Sequence, residues 1–295
     1  MPSALKRWFE AHHAPLFRGV FGLFFFVQFG RLLPWAQALY GDQGVLGDVS
    51  LNPVAATLPP WWFTWSQGAG PELLLVGLMS LSLCVAVGLW PRLTALLLWA
   101  GWALLWQRNV FTLNPSMPFN GFLMLSMAAF FPSNGPWSVD RWWAKRGGRA
   151  APEQSGAIPR DLWGVAWAVT AVAYSWSGIT KLASPTWVSG EALALILDGP
   201  LARPAPYVPW LLGFPWLLKG LAWGTLAMET LYAPLALWRR GRAVAWAGVV
   251  GLHLGIVCTI QFAELSLGML LIHLLTFDPA WLDPALWRRG ATARG

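Results

Sequence analysis

Charged residues are scarce in this sequence, and the scarcity limits the class of protein that it can encode. Asp, Glu, Lys and Arg make up 11% of the 295 residues, while 56% are hydrophobic. A soluble domain carries about 25% charged residues, so this composition excludes an ordinary soluble domain. A bilayer core about 30 Å thick needs roughly 20 apolar residues for each helical crossing, and the chain contains several such stretches.

Cysteine and the usual active-site motifs are also rare. The two cysteines, Cys84 and Cys258, lie inside apolar runs without a CxxC or zinc-ligand spacing. We expect two buried free thiols, which could pair only if the fold brought them together, and no metal site. A phosphate-binding glycine loop and a Ser-His-Asp spacing are missing as well, so nothing indicates a nucleotide-binding protein or a common hydrolase.

The net charge of +7 could suggest a nucleic-acid ligand. The distribution of charge argues against this, because the Lys and Arg residues lie mainly in short segments between apolar runs. That pattern is the topology signal of a membrane protein. We therefore expect the lipid bilayer as a partner and no nucleic acid.

Tryptophan, in contrast, is abundant, with 23 residues, many of them near the ends of apolar runs. The indole ring prefers the membrane interface, where its apolar body meets lipid and its N–H meets water. A GC-rich genome that favours Trp codons is the alternative explanation for part of this abundance.

Apolar runs of helical length predict an all-α, polytopic membrane helix bundle of about eight transmembrane helices, in a single domain over residues 1–295. A basic loop is expected at about 132–160. A stretch at about 183–213, broken by prolines and glycines, is interpreted as a cap over a cavity, because irregular backbone near a membrane needs cover from protein or water. The predicted segments are about 16–39, 71–90, 93–112, 117–131, 161–182, 214–238, 243–262 and 265–277.

The positive-inside rule orients this bundle. With Lys6 and Arg7 in the cytoplasm, most of the basic segments fall on the cytoplasmic side, and the 183–213 cap falls outside. We therefore predict a multi-pass protein of the cell inner membrane with both termini cytoplasmic. The segments on the cytoplasmic side are 91–92, 132–160, 239–242 and the C-terminal end.

Ionisable side chains inside membrane segments are costly and often functional. Lys181 closes the fifth segment, where a partly desolvated lysine can act as a base, although a snorkelling lysine is the alternative. Glu229 and His253 lie in the middle of segments, either as interior hydrogen-bonding residues or as part of a polar site. The remaining candidates are Arg31 and Arg108, interpreted as helix-end anchors, His273, interpreted as structural, and Glu264.

Several sequence blocks resemble a known family. The block Ser177-Gly178-Ile179-Thr180-Lys181-Leu182, followed by Trp187-Val188-Ser189-Gly190-Glu191, is similar to A-G-V-K-K-L and D-W-V-E-G in the membrane region of vitamin K-dependent γ-glutamyl carboxylase. That region belongs to the HTTM ("horizontally transferred transmembrane") domain family. Three further blocks occur in the family's order: Arg18-Gly19-Val20-Phe21-Gly22, Trp137-Ser138-Val139-Asp140, and His253 followed by Leu265-Ser266-Leu267-Gly268-Met269.

The resemblance, which covers about 15–280, implies a site around Lys181. In the carboxylases the matching lysine is essential for deprotonation chemistry, and a reduced quinone, vitamin K, is oxygenated to the base that removes a proton from glutamate. Lys181 is therefore the expected catalytic residue, and a reduced quinone is the implied cofactor. The residues expected to form the substrate or quinone pocket are Asn114, Trp187, Gly190, Glu191, Glu229 and His253.

Two departures argue against glutamate carboxylation itself. Asn114-Pro115-Ser116 stands where the carboxylases have Asn-His-Ser, so a functional histidine is replaced by proline. The chain also ends soon after the eighth segment, so we expect it to lack the extra-membrane region that binds propeptide and substrate.

Two functions remain open for a bacterial-type member of this family. The first is a quinone- or lipid-linked enzyme that modifies a peptide or small substrate at the outer face through Lys181. The alternative is a non-enzymatic factor for maturation or export of a secreted peptide, as in the sporulation-delaying-protein B type. A quinone-sized pocket reaching Lys181 would favour the enzyme, and solid packing around it would favour the alternative.

Overall fold

The computed structural model describes residues 4–132, 135–148 and 156–283. Within these ranges the secondary structure is helical and no strand forms, which confirms the all-α prediction. Parts of the predicted basic loop, including Arg149, and the basic C-terminal end at Trp287-Arg288-Arg289 lie outside the described residues. The helices are α1 Ala4–Leu32, α2 Ala36–Tyr40, α3 Gly70–Val87, α4 Pro91–Arg108, α5 Met117–Phe130, α6 Val139–Arg146, α7 Arg160–Leu182, α8 Pro185–Ser189, α9 Ala192–Leu197, α10 Tyr207–Leu212, α11 Pro215–Thr230, α12 Tyr232–Ala236, α13 Arg239–Thr259 and α14 Ala263–Thr276.

A helix occupies each of the eight predicted apolar segments. Among the described residues, three helical stretches are long and apolar enough to cross a membrane: Ala4–Tyr40, Gly70–Val87 and Arg239–Thr259. Two further apolar helices, α5 and α14, are shorter. Several membrane-capable helices are thus present, while the number of eight crossings stays a prediction.

Proline and glycine set many of the helix boundaries. Proline occupies one of the first two positions of α3, α4, α5, α8 and α11, where its missing N–H removes no helical hydrogen bond. Gly88 ends α3 in the left-handed conformation with φ 69°, which a glycine adopts without a Cβ penalty. The joint between α3 and α4 is therefore short and consists of residues 88–90.

The described residues form two compact units, one over 7–159 and the other over 160–283 together with 4–6. The single domain over 1–295 stays a prediction.

The unit of residues 7–159 is built on a row of phenylalanines in α1. Phe17, Phe21, Phe25 and Phe29 recur every four residues, so they share one helix face and all are buried. Successive ring centroids lie 5.7, 4.8 and 5.6 Å apart. Helices α3, α4 and α5 pack in sequence within the same unit.

Arg108 shows how this unit accommodates a buried charge. It is the last residue of α4, as the helix-end interpretation predicts, yet it is only 1% exposed. Its guanidinium donates to the carbonyl oxygens of Leu46 at 2.6 Å and Gly41 at 2.8 Å. These bonds make burial tolerable, because a buried charge needs hydrogen-bonding partners.

The unit that begins at Arg160 is organised around α7, which packs against α11, α12 and α14. Gly178 allows the closest approach, because a Cβ at this position would lie 2.3 Å from the backbone nitrogen of Thr230. The C-terminal end of α7 therefore lies directly against the C-terminal end of α11.

Both cysteines are free thiols, as predicted. Their predicted burial is wrong: Cys84 is half-buried and Cys258 is exposed. An apolar sequence context places a residue inside a membrane segment, but it does not distinguish the inward face of the helix from the outward one.

Candidate functional site

Lys181 turns back along its own helix. It is the penultimate residue of α7, and its ammonium donates a hydrogen bond to Ser177 Oγ at 2.7 Å, one turn earlier. The same ammonium forms an ion pair with the carboxylate of Glu229, near the end of α11. The side chains of Lys181 and Glu229 are 21% and 7% exposed. A snorkelling lysine would extend toward the headgroups without a specific partner.

An aromatic ring completes the surroundings of the ammonium. Lys181 Nζ lies 5.2 Å from the centre of the Trp187 ring, within the range of a cation–π interaction. Trp187 belongs to α8, which begins at Pro185 and ends at Ser189, with Gly190 as its C-cap. The position of the ring therefore depends on this short helix.

Gly190 has a steric role beside the site. Its φ is 81°, and a Cβ there would come within 2.4 Å of Lys219 Cγ. Glu191 follows as an exposed residue at the start of α9. In the described part of the chain, no ion pair joins Glu191 to Lys181.

Deeper in the same unit lies a buried hydrogen-bonded cluster of four residues. The Tyr174 hydroxyl lies 2.7 Å from His253 Nε2 and 2.7 Å from His273 Nε2. His253 Nδ1 lies 3.1 Å from Ser266 Oγ. All four residues are buried, and they come from α7, α13 and α14. We call Ser266, His253, Tyr174 and His273 the histidine cluster.

The ion pair and the histidine cluster are adjacent. Tyr174, Ser177 and Lys181 are spaced by three and four residues, so they lie along one face of α7. The ring of Tyr232 packs 4.8 Å from that of Tyr174.

The structure thus unites some of the predicted site residues and leaves others apart. Lys181, Glu229 and Trp187 are in contact, and His253 lies in the neighbouring cluster. Asn114 belongs to the other unit, where its side-chain oxygen accepts hydrogen bonds from Ser116 N at 2.9 Å and Ser116 Oγ at 2.6 Å. Its place in a pocket with Lys181 stays a prediction.

Sequence reasoning missed Tyr174, Ser177 and Ser266, and it interpreted His273 as structural. The i, i+3, i+7 spacing of polar residues in α7 is the signal that could have revealed Tyr174 and Ser177. No local pattern relates His273 to them. Among the described residues, no group of three or more His, Cys, Asp or Glu side chains is placed to hold a metal ion.

The fold and the site together define a helical membrane protein with a largely sheltered Lys–Glu ion pair. The family model of the HTTM domain matches residues 9–281, nearly the whole length of the chain. The chain therefore belongs to the HTTM domain family, whose members include the membrane region of the carboxylases. This confirms the family resemblance inferred from the motifs. Neither a curated protein nor a solved structure matches the chain significantly.

Proposed function

We propose that this protein is a membrane enzyme that exchanges protons with a substrate at its outer face through Lys181 and Glu229. The reaction would be quinone- or lipid-linked and would modify a peptide or a small molecule. The observation that supports this proposal is the paired, largely sheltered ammonium of Lys181, held by Glu229 and Ser177. An ammonium in this setting has a defined position, which proton transfer requires.

The pair contains both partners of an acid–base reaction. Lysine donates a proton as an ammonium and accepts one as an amine. The neighbouring glutamate accepts a proton as a carboxylate and donates it as a carboxylic acid. Partial exclusion of water strengthens their interaction with a charged substrate. The Lys181 side chain is 21% exposed, and we propose that a substrate approaches the site from this exposed side.

The residues around Lys181 suit a reduced quinone, the cofactor implied by the family. Trp187 would offer its flat face to the ring, and Lys181 would offer positive charge to a quinol oxygen. A reduced quinone supplies two electrons when bound. Glu229 would hold the Lys181 ammonium in place and take up or return its proton.

The proposal includes an orientation, with both termini in the cytoplasm and the 183–213 segment outside. Single cysteines introduced at exposed Gly148 and exposed Leu201, in a chain whose native cysteines are replaced by serine, test it. We expect a membrane-impermeant maleimide to label position 201 in intact cells and position 148 only after permeabilisation. The reverse pattern would place the Lys181 site on the inner side.

The substitutions Lys181→Ala and Lys181→Arg test the catalytic role. Arginine keeps the charge but stays protonated, so proton exchange predicts that both substitutions abolish activity. The measurement is oxygen-dependent oxidation of a short-chain quinol by the purified protein in nanodiscs, with mass spectrometry of copurified quinones. We expect a rate loss of about 100-fold or more for both variants, the range of general acid–base catalysis.

A fully active Lys181→Arg variant would contradict proton exchange by Lys181. The non-enzymatic alternative, a factor for maturation or export of a secreted peptide, would then be favoured. Trp210→Phe, an exposed aromatic change in α10 of the same unit, is the control for general effects of substitution.

A further inference from the structure

The side chains of the histidine cluster form a chain of hydrogen bonds between groups that can each donate or accept a proton. Ser266, His253, Tyr174 and His273 form one continuous chain, with contacts of 3.1, 2.7 and 2.7 Å. Histidines buried inside a membrane bundle are costly, and they often mark proton relays.

Counting protons shows that the two rings cannot be equivalent. The Tyr174 hydroxyl has a single proton, so it donates to one imidazole Nε2 and accepts an N–H from the other. A neutral imidazole carries one proton, so the role of Nε2 in each ring determines the role of Nδ1. Two arrangements of the cluster satisfy these rules.

In the first arrangement, His273 donates from Nε2 to Tyr174, Tyr174 donates to His253 Nε2, and His253 donates from Nδ1 to Ser266. In the second arrangement every bond is reversed: Ser266 donates to His253 Nδ1, His253 donates from Nε2 to Tyr174, and Tyr174 donates to His273 Nε2. The heavy atoms need not move between the two arrangements.

One end of the chain is open. Among the described residues, no partner lies within hydrogen-bond distance of His273 Nδ1, although His273 is fully buried. This atom is a bare acceptor in the first arrangement and an N–H donor in the second. A buried polar atom without a partner is uncommon and calls for a functional explanation.

We infer that the histidine cluster is a proton relay. A proton delivered by a water molecule to His273 Nδ1 releases the Nε2 proton to Tyr174, and Tyr174 passes its own proton to His253 Nε2. His253 then gives its Nδ1 proton to Ser266, and the hydroxyl proton of Ser266 passes to a second water molecule. One proton enters and one leaves, no electrons are transferred, and the first arrangement becomes the second.

The relay lies beside the ion pair, on the same face of α7. The ring of Tyr232 packs against that of Tyr174. Tyr174 lies seven residues before Lys181 in α7, which places the two side chains on the same helix face.

Nitrogen-15 NMR of histidine-labelled protein in nanodiscs tests the relay without any enzymatic assay. We expect the rings of His253 and His273 to exchange between opposite tautomers with a common rate constant, which falls when H2O is replaced by D2O. The substitution Ser266→Ala removes the Nδ1 partner of His253. It should shift the tautomer populations of both rings, although His273 does not contact Ser266.

Tyr174→Phe provides the decisive comparison. Without the bridging hydroxyl, Ser266→Ala should change the spectrum of His253 alone. Tyr232→Phe removes a hydroxyl from the adjacent ring and should leave the coupling of the two histidines intact. Fixed tautomers without exchange, or a His273 spectrum that ignores Ser266→Ala in the otherwise native protein, would overturn the relay. These results would leave the activity of Lys181 variants unaffected, so the two proposals fail separately.

Discussion

The Lys181 region and the Trp137–Asp140 region each carry a motif of the family, and they use their polar side chains in opposite ways. Near Lys181, side chains bond to other side chains: the ammonium contacts Ser177 and Glu229, and Trp187 flanks it. Such an arrangement leaves the charged groups available to a ligand, because they form no hydrogen bonds to the backbone within the described part of the chain.

Near Trp137–Asp140, the polar side chains bond to backbone. The Arg18 guanidinium donates to Trp137 O at 2.9 Å, and Ser138 Oγ donates to Gly88 O at 2.9 Å. Asp140 accepts a hydrogen bond from the Trp90 backbone N–H at 2.9 Å. These bonds tie the start of α6 to the α3–α4 joint and to α1.

Backbone strain is concentrated in this second region. Trp90 and Trp137 have φ values of 44° and 58°, which residues other than glycine seldom adopt. Such conformations persist only where surrounding contacts hold them. The comparison teaches that a family motif can record architecture as well as chemistry, and that the partner of each side chain distinguishes the two.

Loss of the buried carboxylate should produce the largest effect in the Lys181 region. Glu229→Leu leaves the Lys181 ammonium without its counter-charge, and breaking a buried pair costs about 3–5 kcal/mol. Because Lys181 is partly exposed, we expect a loss of about 3 kcal/mol in the free energy of unfolding. Denaturant titration in nanodiscs measures it.

Two variants sharpen this result. Lys181→Met combined with Glu229→Leu should recover most of the loss, because neither charge is then left alone. Glu191→Leu makes the same chemical change at an exposed position and should have little effect. Equal losses for Glu229→Leu and the double variant would show that the ion pair contributes nothing to stability.

The second largest expected effect on stability comes from disturbing the close packing of α7 against α11. Gly178→Ala places a Cβ 2.3 Å from the Thr230 backbone nitrogen, so the helices must separate, at a cost of about 1–3 kcal/mol. Gly164→Ala in the same helix meets no atom within 4 Å and should stabilise the protein by about 1 kcal/mol through helix propensity. Thermal unfolding compares the two variants, and equal midpoints would contradict the close approach.

The smallest expected effect is a pH dependence in the Trp137–Asp140 region. Burial raises the pKa of Asp140, while the Trp90 N–H and Arg18 oppose the shift. A raised carboxyl pKa means that the folded state binds a proton more readily than the unfolded state. Stability therefore rises as pH falls through the raised pKa toward the ordinary value near 4.

Asp140→Asn should remove this component. The free energy of unfolding of the native protein, minus that of the variant, should increase as pH falls from about 6 to 4. A difference that decreases over the same interval would mean that Arg18 and the Trp90 N–H outweigh burial, and that Asp140 is primarily an ion-pair partner.

Much of the architecture could be predicted from the sequence. Apolar runs located the helices, and proline and glycine located several of their ends, because these signals act on the local backbone. Lys181 was recognised at the end of α7 from its motif. The inward-facing sides of the helices could not be predicted in the same way. Cys258 is exposed despite its apolar run, because hydropathy does not distinguish a lipid neighbour from a protein neighbour.

By itself, the sequence determined that this is a helical membrane protein of the HTTM family with an ionisable residue at the end of α7. Only the tertiary structure decided that Glu229, 48 positions further along the chain, would meet Lys181, and that Tyr174 would join His253 to His273. The physical reason is that hydropathy and turn residues act over a few positions, whereas the pairing of helix faces depends on how closely two helices approach. That approach is set by contacts such as Gly178 against Thr230.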